Sequence, residues 1–193
     1  MMNCNVLLFD NFETLDAFGP AEIIGRKPDA YGLGYYSLYG GVIKSAQNVP
    51  IRTSPLTEIT GRGVLLVPGG VGTRQLVNNR DFIGTLHHLA NEAEYVLTVC
   101  TGAALLARTG LLDGKNATTN KLAFDWAASQ GEHVCWHKRA RWMVDGKYYT
   151  SSGVSAGMDM ALGIIADTLG KPASDKSAYE KEYIRNTAKD NDH

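Results

Sequence analysis

The sequence predicts an α/β fold, a three-layer α/β/α sandwich around a mostly parallel sheet. Two observations carry this. Short, wholly apolar runs end in turn chemistry at Val6-Leu7-Leu8-Phe9, Gly63–Val67 and Tyr95–Val99. Strands without polar alternation are strands with both faces covered. Helical patterns separate them, and that alternation implies parallel strands joined by helical crossovers.

The elements follow in order. Residues 6–9 read as the first strand. Asp10 and Asn11 turn the chain, and residues 16–26 read as a helix with Pro20 in its early part. Gly63–Val67 is the second strand and runs into Pro68-Gly69-Gly70. Arg80–Glu92 is a helix, because Phe82, Ile83, Leu86, Leu89 and Ala90 share one face and Asp81 sits in the first turn. Tyr95–Val99 is the third strand. Residues 101–109 form an alanine- and leucine-rich helix stopped by Gly110, and residues 122–130 form another, ended by Gly131. Residues 140–149 alternate around Asp145-Gly146, a hairpin signal. Val154–Leu169 is a long apolar helix halted by Gly170 and Pro172, and residues 175–189 read as a polar closing helix with a charged tail.

Composition narrows the function classes. At 193 residues and 44% apolar, the chain suits one domain spanning 1–193 with a sizeable core. Nineteen basic and twenty acidic residues nearly cancel, which argues against nucleic acid as the main partner. No basic helix pair follows the last core helix, and the tail from Lys189 to His193 is not basic. No apolar run reaches membrane-spanning length, and the first ten residues lack a basic leader. The three cysteines, Cys4, Cys100 and Cys135, show no paired spacing, so reduced thiols in a cytoplasmic protein are expected. His133 and His137 flank Cys135, but no further cysteine completes a zinc set. No metal and no cofactor are expected.

Ligands of open α/β sheets bind at the carboxyl ends of the strands. That directs attention to the loops 10–16, 68–73 and 100–102. The most informative stretch runs from Tyr95 through Val99, Cys100, Thr101 and Gly102 to Ala107. A buried strand meets a cysteine and a helix starts at once, the turn that lifts a nucleophile above a sheet. The helix amino end offers free N–H groups and a positive dipole end, so the Cys100 thiol should sit below its ordinary pKa range. The alternative is an inert core cysteine, which is the expectation for Cys4. The Pro68–Gly72 stretch lacks the Lys and Ser/Thr of a phosphate loop. Its glycines allow close backbone approach, so Gly70, Val71 and Thr101 are the expected oxyanion or substrate-binding positions, against a plain tight turn. Asp16 opens a helix and would ordinarily cap it, yet its loop leaves the sheet on the cysteine side. A carboxylate there can hydrogen-bond a thiol or shuttle its proton. Glu22 reads as a surface or packing residue.

Taken together, these segments resemble the ThiJ/PfpI superfamily. The matching residues are Leu15-Asp16-Ala17-Phe18-Gly19-Pro20-Ala21-Glu22, Leu65-Leu66-Val67-Pro68-Gly69-Gly70 and Val99-Cys100-Thr101-Gly102-Ala103, together with Leu111-Leu112-Asp113-Gly114 and Gly153-Val154-Ser155-Ala156-Gly157-Met158-Asp159. The resemblance covers nearly the whole chain. It implies a flavodoxin-like sandwich related to class I glutamine amidotransferases. The superfamily includes peptidases, glyoxalases, chaperones, hydratases and sensor domains, and its members are commonly homodimers. Trp136, Trp142, Tyr148 and Tyr149 would serve either such an interface or the core. Peptidase- and glyoxalase-like members usually carry His after the nucleophile, where this chain has Thr101. Asp16, Cys100 and Thr101 together look like the isonitrile hydratase branch. They also look like the sensor domains of AraC-type regulators, which often carry His where this chain has Asn120. The implied catalytic set is Cys100, Asp16 and Thr101. The implied activity is cysteine-dependent hydration of a small molecule, an isonitrile giving an N-substituted formamide. The alternatives are redox or ligand sensing, or an amidase-, peptidase- or glyoxalase-type reaction.

Overall fold

The first strand begins earlier than its apolar run suggests. In the computed structural model, which describes residues 1–60 and 62–190, β1 spans Met2–Leu7. Leu8 and Phe9 lie beyond its end, buried in the loop that leads to the site. Helix α1 is Thr14–Gly25. Three strands follow that the sequence reading did not anticipate: β2 (Tyr31–Ser37), β3 (Gly41–Lys44) and β4 (Pro50–Pro55). They are rich in glycine and polar residues and lie toward one edge, where burial is partial and no apolar run is needed.

The remainder contains the expected elements in their expected order, with one short helix and two short strands in addition. Strand β5 is Gly63–Val67, α2 the short Thr73–Leu76, α3 Arg80–Glu92, β6 Tyr95–Val99 and α4 Gly102–Arg108. After them come β7 (Asn116–Ala117), α5 (Phe124–Ala128) and β8 (Cys135–Trp136). The chain ends with β9 (Trp142–Asp145), β10 (Tyr148–Ser151), α6 (Val154–Leu169) and α7 (Lys171–Tyr179). Helix α3 is capped by the Asn79 side chain, which accepts from the Phe82 N–H at 3.0 Å.

The main sheet runs β3-β4-β2-β1-β5-β6-β10-β9. Pairings from β4 across to β10 are parallel; β3 and β9 are antiparallel edges. From β1 the chain crosses one way to β2, then returns past β1 to β5 and continues to β6. Right-handed crossovers moving in opposite directions put their helices on opposite faces. Accordingly α1 packs with α6 and α6 with α7, while α4 packs with α2, α3 and α5. The order reverses between β1 and β5, and such a switch point opens a crevice at the strand carboxyl ends. Among the described residues no helix is long and apolar enough to cross a membrane.

Two expectations change. The closing helix begins at Lys171 and ends at Tyr179, rather than covering 175–189. Pro172 lies at its amino end, where a missing N–H costs nothing, so it starts the helix instead of holding it off. The segment after it is irregular and is tied back through the Arg141 N–H to the Lys189 carbonyl, 2.7 Å. The Asp145-Gly146 hairpin is present, with Asp145 facing Tyr148 and Gly146 at φ 60°. Of the four aromatics, Trp142, Tyr148 and Tyr149 are buried within this chain.

Candidate active site

Cys100 stands where β6 turns into α4. Its φ is 56°, in the left-handed region that an L side chain seldom adopts. Such strain costs on the order of 1–3 kcal/mol and persists only where neighbours enforce it. Here the Cys100 N–H donates to the Ser151 carbonyl at 3.1 Å, and the Thr119 hydroxyl donates to the Cys100 carbonyl at 2.8 Å. The side chain thus stands above the sheet but is enclosed, with the residue only 9% exposed.

Asp16 arrives from the neighbouring strand end. It is the third residue of α1 and is fully buried. It does not cap the helix: Glu13 holds the cap position, and no side chain bonds there. Instead the Gly69 N–H donates to Asp16 Oδ2 at 3.0 Å. Asp16 Oδ1 is buried and receives no aligned donor. The carboxyl and the Cys100 thiol lie within hydrogen-bonding reach of each other.

The glycine turn makes this approach possible. A Cβ on Gly69 would sit 2.6 Å from the Thr101 nitrogen and 2.9 Å from Asp16 Oδ2. Gly70 adopts φ 125°, and a Cβ there would lie 2.5 Å from the Asn11 carbonyl oxygen. Neither position has room for a side chain. The Gly70 N–H, an expected oxyanion donor, is spent on the Thr101 hydroxyl oxygen at 3.1 Å. The Thr73 hydroxyl donates to the same oxygen at 3.1 Å. The Thr101 hydroxyl in turn donates to the Gly70 carbonyl at 3.3 Å, so Thr101 is a fixed post beside Cys100. The Val71 side chain is 68% exposed beside the turn.

Electrostatics correct one expectation. The thiol does not sit low. Burial pushes it up to about 12, the Asp16 charge pushes the same way, and the Thr101 N–H opposes without prevailing. Helix α4 has seven residues, and the attraction of its amino end is outweighed by desolvation and by a carboxylate neighbour. Burial also lifts the Asp16 carboxyl to about 7; the Gly69 N–H resists, Glu13 adds to the rise, and the thiol resists. At neutral pH the thiol therefore keeps its proton, while Asp16 stands near the midpoint of its titration.

The remaining sequence candidates lie elsewhere. Cys4 is buried in the core, and burial pushes its thiol up to about 12. Cys135 is exposed on β8. Among the described residues no cluster of His, Cys, Asp or Glu is arranged to hold a metal ion. Glu22 is exposed and pairs with Arg26 at 3.2 Å. The Asn120 side chain accepts from the Ala123 N–H at 3.0 Å, opening the turn into α5. A cavity of about 540 Å³ lies away from the pair, between Asn79, Arg80, His87 and Arg108. Thr73 was missed by the sequence reading, because one threonine after a glycine turn carries no signal of its own.

Residues 2–167 match the DJ-1/PfpI family. The chain belongs to that family. The ThiJ/PfpI resemblance and the sandwich it implies are thus borne out. Isonitrile hydratase of Pseudomonas putida is 28% identical over 180 residues, covering 92% of this chain and 76% of that protein. The HTH-type transcriptional regulator GbdR of Pseudomonas aeruginosa is 28% identical over 174 residues, 87% of this chain; the match spans 47% of the regulator's length. A crystal structure of a ThiJ/PfpI family protein from Pseudomonas syringae shares the fold with a TM-score of 0.87 at 23% identity, over 96% of this chain and 76% of that one. An AraC family transcriptional regulator from Pseudomonas putida does so with a TM-score of 0.76 at 14% identity, over 94% of this chain and all of that one.

Proposed function

We propose that the protein is a cysteine-dependent hydratase that adds water to an isonitrile and releases an N-substituted formamide. The observation that carries this is the enclosed Cys100–Asp16 pair with a threonine, not a histidine, next in the chain. A thiol held protonated against a carboxyl suits a substrate whose single carbon must gain both a nucleophile and a proton. The 28% identity to isonitrile hydratase supports the same reading.

Asp16 takes the thiol proton as sulfur attacks the terminal carbon, and delivers that proton to the same carbon. The product of this step is a thioimidate, R–N=CH–S–Cys100. Asp16 then draws a proton from water and passes it to nitrogen as the hydroxide adds to the carbon, and in the next step it takes the proton of the resulting carbinol hydroxyl. The C–S bond breaks, the formamide leaves, and sulfur regains its proton through Asp16. The Thr101 hydroxyl orients the water, and its N–H steadies negative charge at sulfur. Gly70 and Val71 form the turn on which Thr101 rests.

The test is an ultraviolet assay of wild type and Cys100→Ala with an aryl isonitrile, following formamide formation. Turnover confined to wild type is expected. Equal turnover in the variant would end the proposal.

The likeness to GbdR supports a second reading, in which Cys100 is a sensor. Mild peroxide followed by intact mass separates the two. A gain of two oxygens on Cys100, with no isonitrile turnover, would favour sensing.

A further inference from the structure

The chain leaving the glycine turn gives two consecutive residues different tasks. Thr73 reaches inward to Thr101. Arg74 lays its guanidinium over the Trp126 indole of α5, 3.3 Å from the ring centroid. Stacking of this kind fixes a guanidinium while leaving its edge donors free. Thr101 adjoins Cys100 in the chain, so this turn of α2 borders the thiol, whose charge also acts on the guanidinium.

Arg74 has no carboxylate at ion-pair distance among the described residues, whereas Arg26 pairs with Glu22 and Arg141 with Asp159. The acidic groups around the pair do not satisfy it either. Glu13 is held by the Gln47 amide at 3.1 Å, and Asp16 accepts from Gly69. A preset planar cation with unspent donors, close to a nucleophile, is matched by a planar anion.

We infer that Arg74, held on Trp126, is a specificity-determining residue of the Cys100 site and selects substrates that carry a carboxylate at the end remote from the reacting carbon. This deepens the hydratase reading and rests on Cys100 as the reacting group. The neutral end of the substrate meets sulfur and Asp16; the anionic end meets the guanidinium.

Two measurements test it. The first needs no turnover: alkylation of Cys100 by iodoacetate and by iodoacetamide, read on the Cys100 peptide because Cys135 is exposed and reacts too. The iodoacetate-to-iodoacetamide rate ratio should fall about tenfold in Arg74→Gln and recover in part in Arg74→Lys. The ratio cancels any change in the thiol itself. An unchanged ratio in Arg74→Gln overturns the inference. The second compares KM for 4-isocyanobenzoate and phenyl isonitrile. Wild type should favour the carboxylate about tenfold, and Arg74→Gln should lose that preference. Turnover of both isonitriles without preference overturns the inference and leaves the hydratase reading standing. Turnover of neither, with the alkylation ratio still dependent on Arg74, overturns the hydratase reading and supports anion selection.

Discussion

The Gly69 N–H donates to Asp16 Oδ2 across 53 residues of chain. This bond joins the first turn of α1 to the loop after β5 at the point where strand order reverses. It occupies one carboxyl oxygen and leaves Oδ1 without an aligned donor in a buried site. An unsatisfied buried oxygen is costly, and in the proposed hydratase it is the atom through which Asp16 would exchange protons with Cys100 and substrate.

Asp16→Asn should separate thiol reactivity from turnover. The amide oxygen still accepts from Gly69, so the loop stays in place. The negative charge that holds the thiol up is gone, so Cys100 should react faster with iodoacetamide at pH 8, about tenfold for each unit its pKa falls. Turnover should instead drop by about 10²–10⁴. A parallel loss of both would mean that Asp16 merely supports the fold.

Stability should depend on pH through the same carboxyl. Its ordinary value is 3.8, and in the folded protein it is about 7. The folded state therefore binds this proton more tightly than the unfolded chain. The resulting stabilisation is complete below about pH 4 and is lost as pH rises through about 7, an amount on the order of 4 kcal/mol. Urea unfolding across this range should show wild type weakening with pH more steeply than Asp16→Asn. Equal slopes would show that Asp16 titrates normally.

A second buried contact governs the carboxyl-terminal segment. Arg141 and Asp159 form an ion pair at 2.7 Å, with their side chains 8% and 0% exposed. Asp159 also accepts from the Asn186 N–H at 3.1 Å. Asp159→Asn removes this buried counter-charge and should cost on the order of 3 kcal/mol. The same change should expose residues 180–190 to limited proteolysis. A urea midpoint within error of wild type would refute this.

The cysteine elbow could be read locally. A buried apolar strand, a cysteine and an immediate helix are adjacent in sequence, and each follows from short-range periodicity. The existence of the central strands β1, β5 and β6, the α3 and α6 boundaries, and the glycine turn at 68–72 were legible for the same reason. Asp16 could be placed at the start of a helix on the cysteine side, because strand ends in parallel sheets share one edge. Strands β2, β3 and β4 were not legible. They lie toward the sheet edge and carry no apolar run, and Pro172 reads equally as a stop or a start until Gly170 is seen to break the chain before it.

What tertiary structure alone decided is the chemistry's sign. The sequence indicated a thiol at a helix amino end and therefore a low pKa. Folding buried that thiol and brought a buried carboxylate against it, and desolvation in a low-dielectric interior outweighs one short helix. Likewise Gly70 offered a free N–H in the sequence, but the fold turned it onto Thr101. Arg74 and Trp126 are far apart in the chain and meet only because α2 and α5 both pack near α4. Residue types and local periodicity determined which groups are present and which element carries each. Burial and non-local contact determined their charge, their partners and their reach, because those depend on what the rest of the chain excludes from water.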